Sequence, residues 1–143
     1  MTTENRPFHE TEYIEEDGEL CPILKVLVGR NRKPLSVYAD TGCTTGIAVF
    51  KEQIKGVDIG EKISDRPSPC IMADGHIIGA DEYLTTLRIN GEEKEVVVSV
   101  IDPDKILGTA PVDETKPLLG RDFLDAYDVL FKGKEKRVAL FKC

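Results

Sequence analysis

Apolar residues in this chain fall into short runs separated by turn-forming residues. Ile23–Val28 and residues 35–39 are rich in strand formers, and residues 29–34 between them contain glycine, asparagine and proline. Two such runs on either side of a turn predict a pair of strands. Ile47–Phe50 is a further apolar run, and residues 51–55 fit a single helical turn before the breakers Gly56 and Gly60.

The second half of the chain shows the same pattern. Asn90-Gly91 is a strong hairpin signal, and residues 95–101 form the return strand, which Asp102-Pro103 ends. The other runs that predict strands are residues 70–73, 77–78, 83–89, 129–131 and 138–141. Carboxylates at Asp122 and Asp125 favour a short helix over residues 121–127. Many short strands and one short C-terminal helix predict a mostly β fold.

The chain length is that of one domain. A chain of 143 residues buries about 70% of the surface that its unfolded form exposes, and it needs no disulfide or metal. Residues 1–20 are polar and acidic, which predicts a mobile or loosely attached N-terminal arm. Residues 21–143 then form the domain.

Charge argues against two classes of partner. The net charge is -7, whereas nucleic acids and anionic membranes are bound by clustered Lys and Arg. The basic residues around Lys134 are interpreted as a solvated hairpin turn rather than a binding patch. The sequence has neither the apolar core of a signal peptide nor a stretch long enough to span a membrane. We therefore expect a soluble cytoplasmic protein with no nucleic-acid or membrane partner.

The cysteines predict no metal site. Cys21, Cys43, Cys70 and Cys143 lack CxxC spacing, and only two histidines could join them. We interpret them as reduced thiols, and no cofactor is implied.

Two motifs carry candidate chemistry. Asp40-Thr41-Gly42 stands where an apolar strand breaks into a turn, and much later Leu118-Leu119-Gly120-Arg121 leads from a short apolar run into a helix-like start. A given three-residue string of this kind occurs by chance in roughly 3% of chains this long. The pair of motifs in this order is far more specific than either alone.

Together these motifs resemble the retropepsin-like (retroviral-type) aspartic proteases. The resemblance covers residues 23–141 and is weak over residues 50–70. It implies a retropepsin-like single-domain acid-protease fold and an aspartic endopeptidase that acts on a peptide or protein substrate. By this resemblance Asp40 is catalytic, Thr41 hydrogen-bonds across a dimer, and Gly42 lets the backbone approach the substrate.

Carboxylate-catalysed hydrolysis requires two acids that share one proton. The chain contains a single Asp-Thr-Gly. Under this mechanism the second aspartate comes from another copy about a two-fold axis, which predicts a homodimer.

The resemblance also assigns the surroundings of the catalytic loop. Leu118, Leu119 and Gly120 would support the loop, and Asp74, Gly75, His76 and Ile77 would belong to a flap over the substrate. Cys43 stands where the family usually has alanine or serine. Arg121 is assigned to loop support as well. In retroviral members the arginine of the second motif pairs with an acid shortly after the catalytic loop, whereas Thr44 and Thr45 occupy that region here.

Several alternatives stay open. The first is a catalytically weak peptide-binding or dimerisation module with the same fold, and another is a β-rich small-molecule binder with a chance motif. Asp74 as a second carboxylate is less favoured because its surroundings do not repeat the strand and Thr-Gly of Asp40. His76 as a general base is less favoured because a lone histidine in a turn is more often solvated. Cys43 as a nucleophile is less favoured because neither histidine lies in a recognisable partner motif.

Overall fold

The computed structural model describes residues 6–16, 18–71, 77–102 and 117–142, without the side chains of residues 70, 71, 77 and 78. In chain order the elements are β1 His9–Glu12, β2 Ile14–Glu16, β3 Glu19–Cys21, β4 Ile23–Val28, β5 Lys33–Ala39, β6 Ile47–Phe50, a 3-10 helix Lys51–Ile54, β7 Glu61–Lys62, β8 Ser68–Ile71, β9 Ile77–Ile89, β10 Glu92–Ile101, β11 Leu118–Leu119, α1 Arg121–Leu124, β12 Tyr127–Lys132 and β13 Arg137–Lys142. The mostly β prediction with one short C-terminal helix is confirmed.

Six strands form a closed ring. The hydrogen-bonded order runs β10, β6, β11, β5, β4, β9, and β9 pairs again with β10. The predicted β4–β5 pair is confirmed, with Ile23 opposite Tyr38 and Val28 opposite Lys33. Inward-facing residues of these strands, among them Leu24, Val37 and Val98, are fully buried. Closure leaves the ring strands without free edges in the barrel core.

The hairpin at Asn90-Gly91 is confirmed. Both residues have positive φ, 48° and 83°, which is the backbone of a type I′ turn and explains the Asn-Gly pair. The side-chain amide of Asn90 also donates to the carbonyl oxygen of Phe8 at 2.6 Å. The turn thus contacts the N-terminal segment.

The strand β11 is threaded between two strands that precede it by a long stretch of chain. It runs parallel to β5, with Leu119 opposite Ala39, and antiparallel to β6, with Leu118 opposite Ala48. The C-terminal part of the chain thereby enters the barrel wall at the end of β5. This threading places the second sequence motif directly beside the first.

A three-stranded sheet packs beside the barrel in the order β1, β13, β12. The expectation of a mobile or loosely attached arm over residues 1–20 is wrong for residues 9–12. These residues form β1, which pairs residue by residue with β13, from His9–Leu140 to Glu12–Arg137. Phe8 and Tyr13 pack against the core. Glu10 is accommodated in β1 because its carboxylate accepts a hydrogen bond of 2.6 Å from Lys132. The prediction for these residues was wrong because it was based on acidic composition alone. The division of domains at residue 20 stays a prediction.

Two element boundaries differ from the sequence expectation. The predicted helix over residues 121–127 ends at Leu124, because Tyr127 already begins β12. Residues 77–78 and 83–89, predicted as separate strands, belong to one strand, β9, which pairs with β8 at one end and with β10 along its length. Residues 72 and 73 of the predicted strand 70–73 lie outside the described part of the chain.

Candidate active site

Asp40 lies at the end of β5, where the chain leaves the barrel wall. Its Oδ1 accepts a hydrogen bond of 2.9 Å from the backbone N–H of Gly42, and its carbonyl oxygen accepts from the N–H of Cys43 at 3.2 Å. These bonds fold residues 40–43 into a tight turn, a conformation that aspartate stabilises through its own side chain. The turn leaves Asp40 partly buried, with Thr41 and Gly42 exposed.

The strand β11 supports this turn from one side. The N–H of Asp40 donates to the carbonyl oxygen of Leu119 at 2.9 Å, and the N–H of Tyr38 donates to that of Pro117 at 2.8 Å. Leu119 is fully buried. The structure thus brings Leu118 and Leu119 beside the Asp40 turn, where the resemblance placed them.

Gly120 lies where no side chain fits. A Cβ at this position would lie 2.7 Å from the carbonyl oxygen of Cys43 and 2.9 Å from its Sγ, and closer still to the carbonyl oxygen of Thr45. The N–H of Gly120 donates to the carbonyl oxygen of Gly46 at 2.9 Å. Glycine is therefore required because two backbones pass each other at contact distance.

Arg121 contacts the loop through its backbone. Its N–H donates to the carbonyl oxygen of Cys43 at 2.8 Å, whereas the guanidinium lies 3.5 Å from Asp125, one helical turn ahead on an exposed surface. Arg121 therefore supports the loop through its backbone N–H, while its guanidinium pairs with Asp125. An exposed pair of this kind contributes little to stability.

Sequence reasoning missed three side chains that connect the end of the loop and α1 to β10. Thr45 donates to the carbonyl oxygen of Val97 at 3.0 Å, Ser99 donates to Thr45 at 3.1 Å, and Asp122 accepts from the N–H of Val97 at 3.2 Å. The residue types of Thr45, Ser99 and Asp122 give no sequence signal of these contacts, because their partners are distant in the chain.

The predicted flap is described only at its base. Ile77 opens β9 and pairs with Ile71 of β8, so two antiparallel strands lead to and from residues 72–76. Asp74, Gly75 and His76 lie outside the described residues, and the flap assignment stays a prediction.

The described residues also form a surface groove away from Asp40. A shallow groove of about 700 Å³ is lined by Arg6, Phe8, Asn90, Gly91, Glu92 and Lys142, none of them a predicted site residue. Within the described ranges no three His, Cys, Asp or Glu side chains are grouped to hold a metal ion. The helices in this part of the chain are all too short and too polar to cross a bilayer.

Solved structures similar to this chain include two proteases. The EIAV protease complexed with the inhibitor HBY-793 is 23% identical with a TM-score of 0.56, and the similarity covers 78% of this chain and 92% of that one. The chain has a retropepsin-like fold. A retropepsin-like aspartic protease from Rickettsia conorii is 16% identical with a TM-score of 0.50, covering 94% of this chain and 95% of that one.

Similarity of sequence is much weaker than similarity of structure. No protein-family model matches the chain, and no curated protein does. The retropepsin-like fold is therefore shown by the structure neighbours, and the activity is a separate question.

Proposed function

We propose that this retropepsin-like protein is an aspartic endopeptidase that acts as a homodimer through paired Asp40 carboxylates. The observation that carries the proposal is the Asp40 turn itself. One carboxylate oxygen is held by the N–H of Gly42 at 2.9 Å, and the backbone is held by Leu119, in a fold that this chain shares with aspartic proteases. A carboxylate with a fixed orientation is suited to acid–base chemistry.

In this mechanism two copies place their Asp40 side chains face to face over one water. Two carboxylates so close cannot both ionise, so one is protonated. The carboxylate takes a proton from the water, whose oxygen attacks the peptide carbonyl, while the acid donates its proton to the carbonyl oxygen. In the second step the newly protonated Asp40 donates its proton to the leaving nitrogen, the ionised Asp40 takes a proton from a hydroxyl of the tetrahedral intermediate, and the C–N bond breaks to give an acid and an amine.

A second copy is required because the chain has one Asp-Thr-Gly. Thr41 and Gly42 are exposed at the tip of the turn, which leaves them accessible to a partner and to substrate. In the proposed dimer Thr41 bonds across the two-fold axis and residues 74–77 cover the peptide. No metal or organic cofactor takes part in these steps.

The test is cleavage of a mixed peptide library by the wild type, Asp40→Asn and Asp65→Asn, read by mass spectrometry over a range of pH. Asn keeps the Oδ1 acceptor for Gly42 but cannot act as base or acid, so Asp40→Asn should abolish cleavage. Asp65 is an exposed acid in another loop, and Asp65→Asn should cleave as the wild type does.

Sedimentation of all three proteins supplies the second readout. Dimerisation of Asp40→Asn without cleavage supports the proposal. Cleavage by Asp40→Asn, or a monomer that stays fully active at high dilution, refutes it. A wild type that dimerises but cleaves no peptide in any condition favours the catalytically weak binding module.

A further inference from the structure

The backbone carbonyl group of Val97 in β10 is held by the loop that follows Asp40. The carbonyl oxygen of Val97 accepts from Thr45 Oγ1 at 3.0 Å and from the N–H of Gly46, also at 3.0 Å. A Cβ on Gly46 would lie 2.7 Å from the Cβ of Val96. The end of the loop is thus pressed directly onto β10.

The hydroxyl of Thr45 is used twice. It donates to Val97 and accepts from Ser99 Oγ at 3.1 Å. Ser99 is only 7% exposed, so its hydroxyl is withdrawn from water and its bond to Thr45 compensates for lost hydration. Two bonds with different directions fix the side chain of Thr45 in one orientation.

The helix α1 contacts the same residue of β10 through that residue's backbone N–H. Asp122 in its first turn accepts from the N–H of Val97 at 3.2 Å, and the N–H of Arg121 donates to the carbonyl oxygen of Cys43 at 2.8 Å. The loop of residues 40–46 is consequently fixed at its start by β11, at Cys43 by α1, and at its end by Thr45.

We propose that Thr45 and Ser99 are positioning residues for the Asp40 carboxylate. Neither touches the reacting atoms. They hold the C-terminal end of a seven-residue loop whose N-terminal end carries Asp40, so loss of their hydroxyl pair lets the turn shift. The inference rests on the proposed proteolytic function for its catalytic consequence, whereas its structural part concerns the loop alone.

Positioning of Asp40 affects the rate because a catalytic carboxylate must be held close to its productive geometry. A displacement of about 1 Å can lower a rate by roughly 10²-fold. We expect the bond from Thr45 to the carbonyl oxygen of Val97 to contribute as much to global stability as another hydroxyl–carbonyl bond in the barrel. Thr86, whose Oγ1 donates to the carbonyl oxygen of Gly29 at 3.2 Å, provides a matched bond elsewhere in the barrel.

The experiment compares Thr45→Val, Thr45→Ser, Ser99→Ala and the control Thr86→Val in the full chain. Amide hydrogen exchange is measured over residues 41–46, together with global unfolding and with kcat and KM for a peptide cleaved by the wild type. Thr45→Val should raise exchange in the loop about tenfold over Thr86→Val, by local opening. It should lower kcat about tenfold with KM nearly unchanged, because alignment and not binding is lost.

Rescue distinguishes positioning from packing. Thr45→Ser retains the hydroxyl and should behave like the wild type, and Ser99→Ala should show a smaller change in the same direction as Thr45→Val. If Thr45→Val fails to fold, Ser99→Ala against Thr86→Val decides in its place. The proposal is overturned if amide exchange over residues 41–46 is the same in Thr45→Val, Ser99→Ala and Thr86→Val. If the wild type cleaves no peptide, the hydrogen-exchange comparison alone tests whether Thr45 and Ser99 hold the loop. The missing cleavage then counts against the proposed function and not against this inference.

Discussion

The backbone N–H of Asp40 donates to the carbonyl oxygen of Leu119 across 2.9 Å. This bond joins the end of β5 to a strand of two residues that comes from the far end of the chain. Leu119 is fully buried, so the acceptor cannot be replaced by water. The orientation of the candidate catalytic loop therefore depends on correct insertion of β11.

Gly120→Ala should disturb this insertion. The added Cβ would lie 2.7 Å from the carbonyl oxygen of Cys43, which is backbone and cannot rotate away. Overpacking of this kind costs about 1 to 3 kcal/mol. We expect the free energy of unfolding, measured in urea, to fall by at least about 2 kcal/mol, with loss of any cleavage activity.

Gly133→Ala is the matched control for that substitution. No heavy atom lies within 4 Å of a Cβ at Gly133, so its stability should change little. Equal effects of the two substitutions would contradict the close approach of backbones at Gly120.

Glu10→Gln should alter the dependence of stability on pH. The hydrogen bond from Lys132 lowers the pKa of the Glu10 carboxyl from its ordinary value of 4.5, against a smaller opposing effect of burial, and the charges of Lys132 and Arg137 lower it further. A lowered pKa in the folded state contributes stability above the unfolded pKa, and that contribution is lost as pH falls through the folded value.

We therefore expect Glu10→Gln to be less stable than the wild type at neutral pH, and the difference to disappear in acid. Urea unfolding at a series of pH values from neutral to acid measures this. Glu61→Gln, at an exposed position, is the control. A difference that persists in acid would show that loss of charge is not the cause.

Tyr127→Phe should be neutral or slightly stabilising. The Tyr127 hydroxyl is buried and has no hydrogen-bond partner among the described residues, and burial raises its pKa, with a further effect of Glu92. Removing an unsatisfied buried hydroxyl can raise the free energy of unfolding by up to about 1 kcal/mol. Thermal and urea unfolding measure the change.

The aromatic ring of Tyr127, in contrast to its hydroxyl group, is expected to stabilise the fold. Its centroid lies 5.2 Å from that of Phe123 and 5.6 Å from that of Phe8. Tyr127→Leu removes these contacts and should lower the free energy of unfolding by about 1 kcal/mol or more. A marked loss of stability in Tyr127→Phe would mean that the hydroxyl has a partner after all.

Much of the local structure was predictable from the sequence. Short runs of strand formers and turn signals predicted the β4–β5 pair and the hairpin at Asn90-Gly91, because these elements join neighbours in the chain. The placement of Asp40 at a strand end was predictable for the same reason. The helical turn before Gly56 was also predictable, and it is a 3-10 helix at Lys51–Ile54.

Other features of the site could not be predicted from residue types. Arg121 contacts the loop through its N–H, and a backbone donor has no sequence signature. Thr45 and Ser99 are separated by a long stretch of chain, so only packing brings their hydroxyl groups together. The acidic composition of the N-terminal residues concealed β1, whose Glu10 is held by Lys132.

Residue preferences along the chain were enough to predict several barrel strands, the hairpin turn at Asn90-Gly91 and an aspartate at the end of β5. These properties depend on the preferences of adjacent residues. The position of β11 between β5 and β6 and the pairing of β1 with β13 follow from the folded chain, because pairing across long separations depends on burial and backbone hydrogen bonding throughout the structure. The support of Asp40 belongs to this second group.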